Sequence, residues 1–281
     1  VQENSVDYRI EKEMPLLGWL QKEFPDSSNR TLRLWVKTGR IQVDGQVISR
    51  ADTLLAPLQK ISIGPKVSVG KGGLPIIYQD PHLIVINKPE GLLSVATDFD
   101  DTANAHTFLK QELYPKRVFP VHRLDRETSG VMLFALTEET KEAIKMQFEK
   151  RVVEKTYLAL VEGSFDVLTG RFESYLQEDQ NYHVRSAPTG KLSVTDYEVI
   201  RQNHRRALLR LKPLTGRKHQ LRVQCSDAGH PIIGDKRYGG EQDVERLYLH
   251  AQSIRLTHPV THRPLSFSVP VPSAFSLDSV V

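Results

Sequence analysis

Leu16, Leu17, Leu20 and Phe24 recur at helical spacing behind Pro15, a residue suited to a first turn, and Leu32, Trp35 and Val36 repeat that spacing after Ser28-Asn29. Both runs predict short helices with one apolar face. Gly39 can close the second helix, and the alternation Ile41-x-Val43-Asp44-Gly45-x-Val47 predicts two strands around an Asp-Gly hairpin turn. The run Gly64-Pro65-Lys66-Val67-Ser68-Val69-Gly70-Lys71-Gly72-Gly73 reads as a linker. A small unit at 1–70 and a larger one at 71–281 follow from this pattern.

In the larger unit the period shortens. Ile76-Ile77-Tyr78 and Leu83-Ile84-Val85-Ile86 predict strands flanking a turn at Gln79-Asp80-Pro81-His82, and Val131-Met132-Leu133-Phe134-Ala135-Leu136 predicts a buried strand. Thr137 can cap a helix whose core face is Ala143, Ile144 and Phe148. Tyr157-x-Ala159-x-Val161 alternates as another strand, and His219 to Ala228 predicts a short helix ended by Gly229, with Pro231 just beyond. The expected class is α+β: a mixed, mostly antiparallel sheet with flanking helices, preceded by a small α/β unit.

Composition sets bounds on this picture. A chain of 281 residues, 39% hydrophobic and 26% charged, can bury one large core or a large and a small one. The single Cys225 excludes an internal disulfide framework and paired-cysteine zinc sites, so a reducing, cytoplasmic setting is expected. No apolar stretch approaches a membrane span, and Val1-Gln2-Glu3-Asn4 lacks the basic-then-apolar pattern of a leader. Metal binding is not expected either: His-Glu-x-x-His is absent, and Pro259 makes His258 and His262 a poor helical chelate. Gly-rich phosphate loops are missing too.

Charge changes the picture through its distribution. The net charge is +4, yet from Val199 to Ser226 eight Lys or Arg occur without one Asp or Glu: Arg201, Arg205, Arg206, Arg210, Lys212, Arg217, Lys218 and Arg222. Such a tract suits a polyphosphate backbone, or equally an exposed strand edge protected against aggregation.

The candidate chemistry lies in His122-Arg123-Leu124-Asp125-Arg126-Glu127-Thr128-Ser129-Gly130. Here one carboxylate stands between two guanidinium groups ahead of a small-residue turn. Nearby opposite charge favours the ionised form, which makes Asp125 a candidate nucleophile or base, or one member of a salt-bridged surface loop.

His-Arg-Leu-Asp followed by Thr-Ser-Gly resembles the active-site motif of the RluA-type pseudouridine synthases. Further segments resemble that family in order: Tyr78-Gln79-Asp80 with Asn87-Lys88-Pro89, Lys155-Thr156-Tyr157, Thr215-Gly216-Arg217-Lys218-His219-Gln220-Leu221-Arg222, Gly229-His230-Pro231 with Gly234-Asp235, and Leu249-His250-Ala251. The resemblance spans about Leu74 to Pro272. From Met14 to Ile63 the helix-helix-hairpin order resembles the small S4 RNA-binding domain, with seven Lys or Arg against four Asp or Glu.

The resemblance implies an enzyme that isomerises uridine to pseudouridine in structured RNA without cofactor or metal. Asp125 is then the essential residue, as nucleophile at C1′ or as base at C2′, Arg222 its ion-pair partner, and Tyr157 the ring stacked on the uracil. Arg123 enters the space left by a flipped nucleotide, and Leu249 forms a wall of the base pocket. Contacts to RNA are expected from His122, Leu124, Arg217, His219, Gln220 and Lys88, and from Arg30, Arg33, Lys37 and Arg40 of the S4-like segment. Two departures from the family bear on substrate detail: Lys218 stands where Thr or Ser is frequent, and Gln224-Cys225 where His is common. Ribosomal RNA is the expected substrate, transfer RNA the alternative, and a monomer the expected state. Two rivals stay open: an idle RNA-binding or ribosome-assembly factor, and a glycoside hydrolase, which needs a second carboxylate as acid.

Overall fold

The computed structural model describes residues 6–37, 41–44, 46–48, 50–63, 68–69, 73–96, 104–240 and 243–277. The N-terminal part runs β1 (Val6–Arg9), β2 (Met14–Pro15), α1 (Leu16–Glu23), α2 (Asn29–Lys37), β3 (Ile41–Val43), β4 (Gln46–Val47), β5 (Leu54–Leu55) and β6 (Lys60–Ile63). Its four-stranded sheet has the order β1-β6-β3-β4 and is antiparallel throughout. Leu16 and Leu20 of α1 and Leu32 and Val36 of α2 are buried against Ile41, Leu55 and Ile61, a core of its own. The helical periods therefore meet a sheet face, as the apolar stripes require. β1 was not legible as a strand. Gly39 and Gly45, on which the helix stop and hairpin turn were placed, lie outside the described residues.

The rest of the chain supplies β7 (Ser68–Val69), β8 (Pro75–Gln79), β9 (Leu83–Lys88), α3 (Ala105–Glu112), β10 (Phe119–Pro120), β11 (Ser129–Ala135), α4 (Glu138–Glu149), β12 (Glu154–Glu162), β13 (Thr169–Glu178), β14 (Val184–Ser186), β15 (Lys191–Gln202), β16 (Arg206–Pro213), α5 (Gln220–Asp227), β17 (Leu249–Thr257) and β18 (Pro264–Ser268). They build one sheet in the order β14-β13-β15-β16-β12-β17-β11-β9-β8-β7, with β10 on β11 and β18 on β17. Among the described residues, the strand pairs of this sheet are antiparallel except β11 with β17. Ser68 and Val69, assigned to the linker by their glycine-rich surroundings, pair with Ile76 and Pro75 at the sheet edge, so that part of the linker is strand.

Strand β11 is buried at every position, and period-2 alternation divides it between two cores. Met132 and Phe134 join Ile84, Ile86 and Leu109, whereas Val131, Leu133 and Ala135 join Ile144 of α4. Thr137 caps α4, its hydroxyl accepting the Thr140 N–H at 3.2 Å. Two local features then aim the functional loop. Thr156 faces Ser253 but Tyr157 faces Ala251, so Gln252 is an extra residue in β17 and the bulge re-aims Tyr157. Tyr157 packs against two cores at once.

The second feature is Gly130, which crosses Ala251 where β11 meets β17 in parallel. Its φ is +123°, and a Cβ there would stand 2.2 Å from the Ala251 carbonyl oxygen. Neither that backbone conformation nor that approach admits a side chain. Gly130→Ala should therefore lower the unfolding free energy by about 3 kcal/mol or more, from backbone strain plus overpacking. Urea titration checks this, and a loss below about 1 kcal/mol would contradict the close approach.

Candidate active site

Asp125 sits on the loop between β10 and β11, and that loop is tied at several points. The Leu124 N–H donates to Ser94 Oγ at 3.0 Å, and Ser94 Oγ donates to the Leu124 carbonyl at 2.7 Å. Thr128 N–H closes a turn on the Asp125 carbonyl at 3.1 Å. Lys88 is fully buried, and its ammonium donates to the carbonyls of Pro89 (2.9 Å), Leu92 (2.7 Å) and Arg126 (3.2 Å). Burial pushes the Lys88 ammonium down to about 8, with Asp125 and Glu127 opposing that shift. At the far end Ser129 Oγ meets His250 Nδ1 at 2.8 Å and accepts from Arg246 Nη2 at 2.7 Å.

The loop presents Asp125 to a cavity of about 520 Å³ lined also by Arg123, Lys155, Tyr157, His219, Arg222 and Leu249, within the ordinary range for a small-ligand site. Arg222, from the first turn of α5, is buried and forks onto Asp235: Nε to Oδ2 and Nη2 to Oδ1 are both 2.8 Å. Asp235 is fully buried and also accepts the N–H groups of Arg237 and Tyr238 at 3.0 and 3.1 Å. Only the remaining nitrogen, Nη1, reaches Asp125 Oδ2, at 3.4 Å, with Glu127 Oε2 at 3.7 Å. Asp235 is thus the primary partner of Arg222. It was quoted from the sequence in Gly234-Asp235 but given no role, and nothing local marks a pairing over that separation.

Electrostatics correct the expectation that Asp125 is held ionised by its neighbours in sequence. Arg126 Nε donates to the Gly91 carbonyl at 3.1 Å, and Arg123 is exposed at the rim. Burial raises the Asp125 carboxyl above its ordinary value, more than Arg222 and Arg123 lower it, and Asp235 adds to the rise. The Tyr157 phenol is pushed up by burial and then by the Asp125 charge, so it stays protonated. Lys155, quoted from the sequence in Lys155-Thr156-Tyr157 but given no role, lines the cavity; burial alone lowers it to about 8, and its Nζ donates to the Thr215 carbonyl at 3.3 Å.

Other expected RNA contacts are placed differently. Lys88 is fully buried and occupied by three carbonyls, so it braces the loop instead of touching RNA. Gln220 is buried, its amide accepting from Thr215 Oγ1 (2.7 Å) and Arg217 N–H (3.1 Å) and donating to the Val194 carbonyl (3.1 Å) and Thr195 Oγ1 (2.9 Å). His122 lines the cavity, but its Nε2 accepts the Leu133 N–H at 3.0 Å, and burial lowers it to about 3. Leu124 is buried, with its backbone held by Ser94. Arg217 is exposed and Leu249 is buried at the cavity wall. Arg30 and Arg33 are exposed on α2, while Arg40 and the side chain of Lys37 lie outside the described residues.

The basic tract is also less bare than its sequence. Arg210 Nη1 pairs with Glu198, just before the tract, at 2.5 Å, and Lys218 and Arg222 pair with Glu178 and Asp235 from outside it. Arg201, Arg205, Lys212 and Arg217 remain exposed. Among the described residues no group of His, Cys, Asp or Glu is placed to hold a metal ion, and no helix is long and apolar enough to cross a membrane.

Comparison with known proteins agrees with this geometry. A family model described as RNA pseudouridylate synthase matches residues 82–227. The chain is 38% identical over 206 residues to the dual-specificity RNA pseudouridine synthase RluA of Escherichia coli strain K12, covering 70% of this chain and 93% of that protein. It is 37% identical over 207 residues to the ribosomal large subunit pseudouridine synthase C of Vibrio vulnificus, covering 70% and 65%. Human RNA pseudouridylate synthase domain containing 1 has a similar solved structure, with TM-score 0.61 and 28% identity over 77% of this chain and 89% of that one.

Asp235→Asn keeps the shape of the Arg222 fork but removes its buried countercharge. Breaking a buried pair on one side costs about 3 to 5 kcal/mol, and chemical denaturation of the variant should show a loss of that order. A loss under about 1 kcal/mol would mean that Asp125 and Glu127 suffice to compensate Arg222.

Proposed function

The chain belongs to the RNA pseudouridylate synthase family, RluA type, and isomerises uridine to pseudouridine in RNA; from that premise we propose that Asp125 is its reacting carboxylate. The observation that carries this reading is that Asp125 stands in a cavity against a guanidinium already fixed by Asp235. The reaction breaks the C1′–N1 bond, turns the freed uracil and joins C5 to C1′. The proton lost from C5 is balanced by one gained at N1, so no redox partner or energy input is needed. What is needed is a carboxylate at the sugar, a clamp for the base and a site that keeps the base from escaping. Asp125 acts at C1′ as nucleophile or at C2′ as base; either role requires its ionised form.

Tyr157 offers its ring to the uracil, and because its phenol stays protonated it serves as platform and proton relay, not as a free base. Leu249 walls the pocket, and Arg123 at the rim fills the gap left by the flipped nucleotide. Arg217 and His219 contact the target strand. A glycoside hydrolase would need a second carboxylate as acid across the cavity; Asp235 is taken up by Arg222 on both oxygens, and Glu127 is half-exposed and does not line the cavity.

The N-terminal segment, ending before Ser68, serves as an S4-like RNA-binding domain, with Arg30 and Arg33 as phosphate contacts. Ribosomal RNA in the cytoplasm is the substrate that this reading favours, supported by the likeness to the ribosomal large subunit pseudouridine synthase of Vibrio vulnificus; transfer RNA is the alternative, and sequencing-based pseudouridine mapping with and without the protein decides between them.

Asp125→Asn should eliminate pseudouridine formation and leave RNA affinity nearly unchanged. Residual turnover within about tenfold of the parent, ~1.4 kcal/mol of barrier, would sink the assignment. The parent should lose activity as pH falls through the raised Asp125 value, because the ionised form is the active one; the acid limb of kcat/KM then lies above the ordinary ~4 of aspartate. A limb at or below that value would contradict the effect of burial.

Replacing Arg30 and Arg33 together by Gln in the full chain should weaken RNA binding and reduce the slope of log affinity against log salt by about 0.7 to 0.9 per lost phosphate contact. An unchanged slope, read from titrations over a range of salt, would remove these residues from the RNA interface.

A further inference from the structure

His219 stands at the N-terminal end of α5 with left-handed backbone (φ 52°), a position that turns its ring back over Asp125. Its Nδ1 is 2.8 Å from Tyr238 Oη. The Asp125 carboxylate faces the other ring nitrogen, Nε2, and favours the tautomer that carries the proton there, which leaves Nδ1 to take the phenol's hydrogen bond. Nδ1 is then the acceptor, and Nε2 carries the ring proton. The ring stays neutral, lowered to about 3 by burial and by the cations Arg222, Arg237 and Lys218.

Nε2 and Asp125 Oδ1 are 3.9 Å apart, too far for a hydrogen bond with each other. That spacing suits one oxygen seated between them at about 2.8 Å from each, accepting from Nε2–H and donating to Oδ1. Both groups line the same cavity. The substrate group that can both accept and donate beside a carboxylate working at C1′ or C2′ is the ribose 2′-hydroxyl. We propose that His219, its tautomer fixed by Tyr238, reads the ribose 2′-hydroxyl of the target nucleotide jointly with Asp125, and so makes the site selective for RNA over DNA. This rests on the pseudouridine synthase reading. His219 is here a specificity residue in contact with the substrate, and Tyr238 a positioning residue acting through it.

The test uses short RNAs carrying the mapped target position as pseudouridine or 2′-deoxypseudouridine, inert products that differ by the one hydroxyl. Affinities are measured for the parent, His219→Asn and Tyr238→Phe. Asn tolerates left-handed backbone, so the loop is retained while the donor is shortened out of reach. The parent should prefer the ribose form by about tenfold, the size of one lost hydrogen bond to a paired polar group. His219→Asn should bring the ratio within about twofold, and Tyr238→Phe, which frees the tautomer without removing the ring, should lower it to about threefold. A merely structural role would weaken both RNAs equally and leave the ratio intact. That result, or a parent without preference, overturns the proposal; if His219→Asn does not fold, the Tyr238→Phe ratio decides. Failure of the parent to convert uridine in the same RNA would overturn the family reading instead, whereas intact conversion without a ribose preference overturns only the assignment of His219.

Discussion

The site is organised around one guanidinium with more acid near it than it can neutralise. Arg222 gives two of its nitrogens to Asp235, buried completely, and leaves Nη1 to Asp125 at 3.4 Å and Glu127 at 3.7 Å. A planar fork bound bidentately cannot swing toward a third carboxylate without breaking both bonds. Arg222 is therefore a fixed post, and Asp125 is attracted to it without being captured. The consequence is a carboxylate whose burial raises it above the ordinary value while a cation stands close enough to hold it in place. The reacting role proposed for Asp125 needs that balance: tight pairing would quench it, and burial alone would protonate it.

Holding such a loop is the task of the sheet. Main-chain clamps from Ser94 and Lys88 fix both sides of Asp125, and Gly130 lets β11 cross β17 in parallel with no side chain between them. Adjacent to that crossing, the extra residue Gln252 turns Tyr157 to pack at the meeting of two hydrophobic cores. The aromatic ring and the carboxylate are thus positioned by strands, with the loop contributing only the last few atoms. Sites on rigid elements keep their geometry better than sites on loops, and this one borrows rigidity from a buried central strand.

What the sequence made legible was periodic or local. The stripe of Leu16, Leu20, Leu32 and Val36, the continuous run of β11 and the Thr137 cap all act through neighbours a few residues away, so their residue pattern carries the signal. The motif strings also brought Asp125, Tyr157, Arg222 and Leu249 into view, and these residues line one cavity. Legibility ended where a residue's role depends on distant partners. Lys88 reads as a cation for RNA until three carbonyls surround it, and Gln220 as a polar contact until its amide is seen inside the fold. Asp235 and Tyr238 sit in an ordinary loop whose importance appears only when α5 folds against it. Ser68 and Val69 lie among glycines, and only the pairing partner across the sheet reveals a strand.

The basic tract shows the same limit in electrostatic form, and it bears on how the protein can hold RNA. Counted along the chain, the stretch from Val199 to Ser226 has eight cations and no acid. Folded, Arg210 meets Glu198, which borders the tract on the neighbouring strand, and Lys218 and Arg222 meet Glu178 and Asp235 from outside it. A cation already paired in the protein releases fewer counterions when a phosphate approaches, so the tract overstates the charge available for nonspecific binding. Arg201, Arg205, Lys212 and Arg217 keep their exposure, and Arg123 stands exposed at the cavity rim. At the cavity, Arg222 is matched to the fully buried Asp235, whereas Arg201, Arg205, Lys212 and Arg217 present their charge to solvent. The field at Asp125 is therefore set mainly by its burial and by the fixed Arg222, with Arg123 at the rim and Asp235 behind adding smaller, opposed contributions.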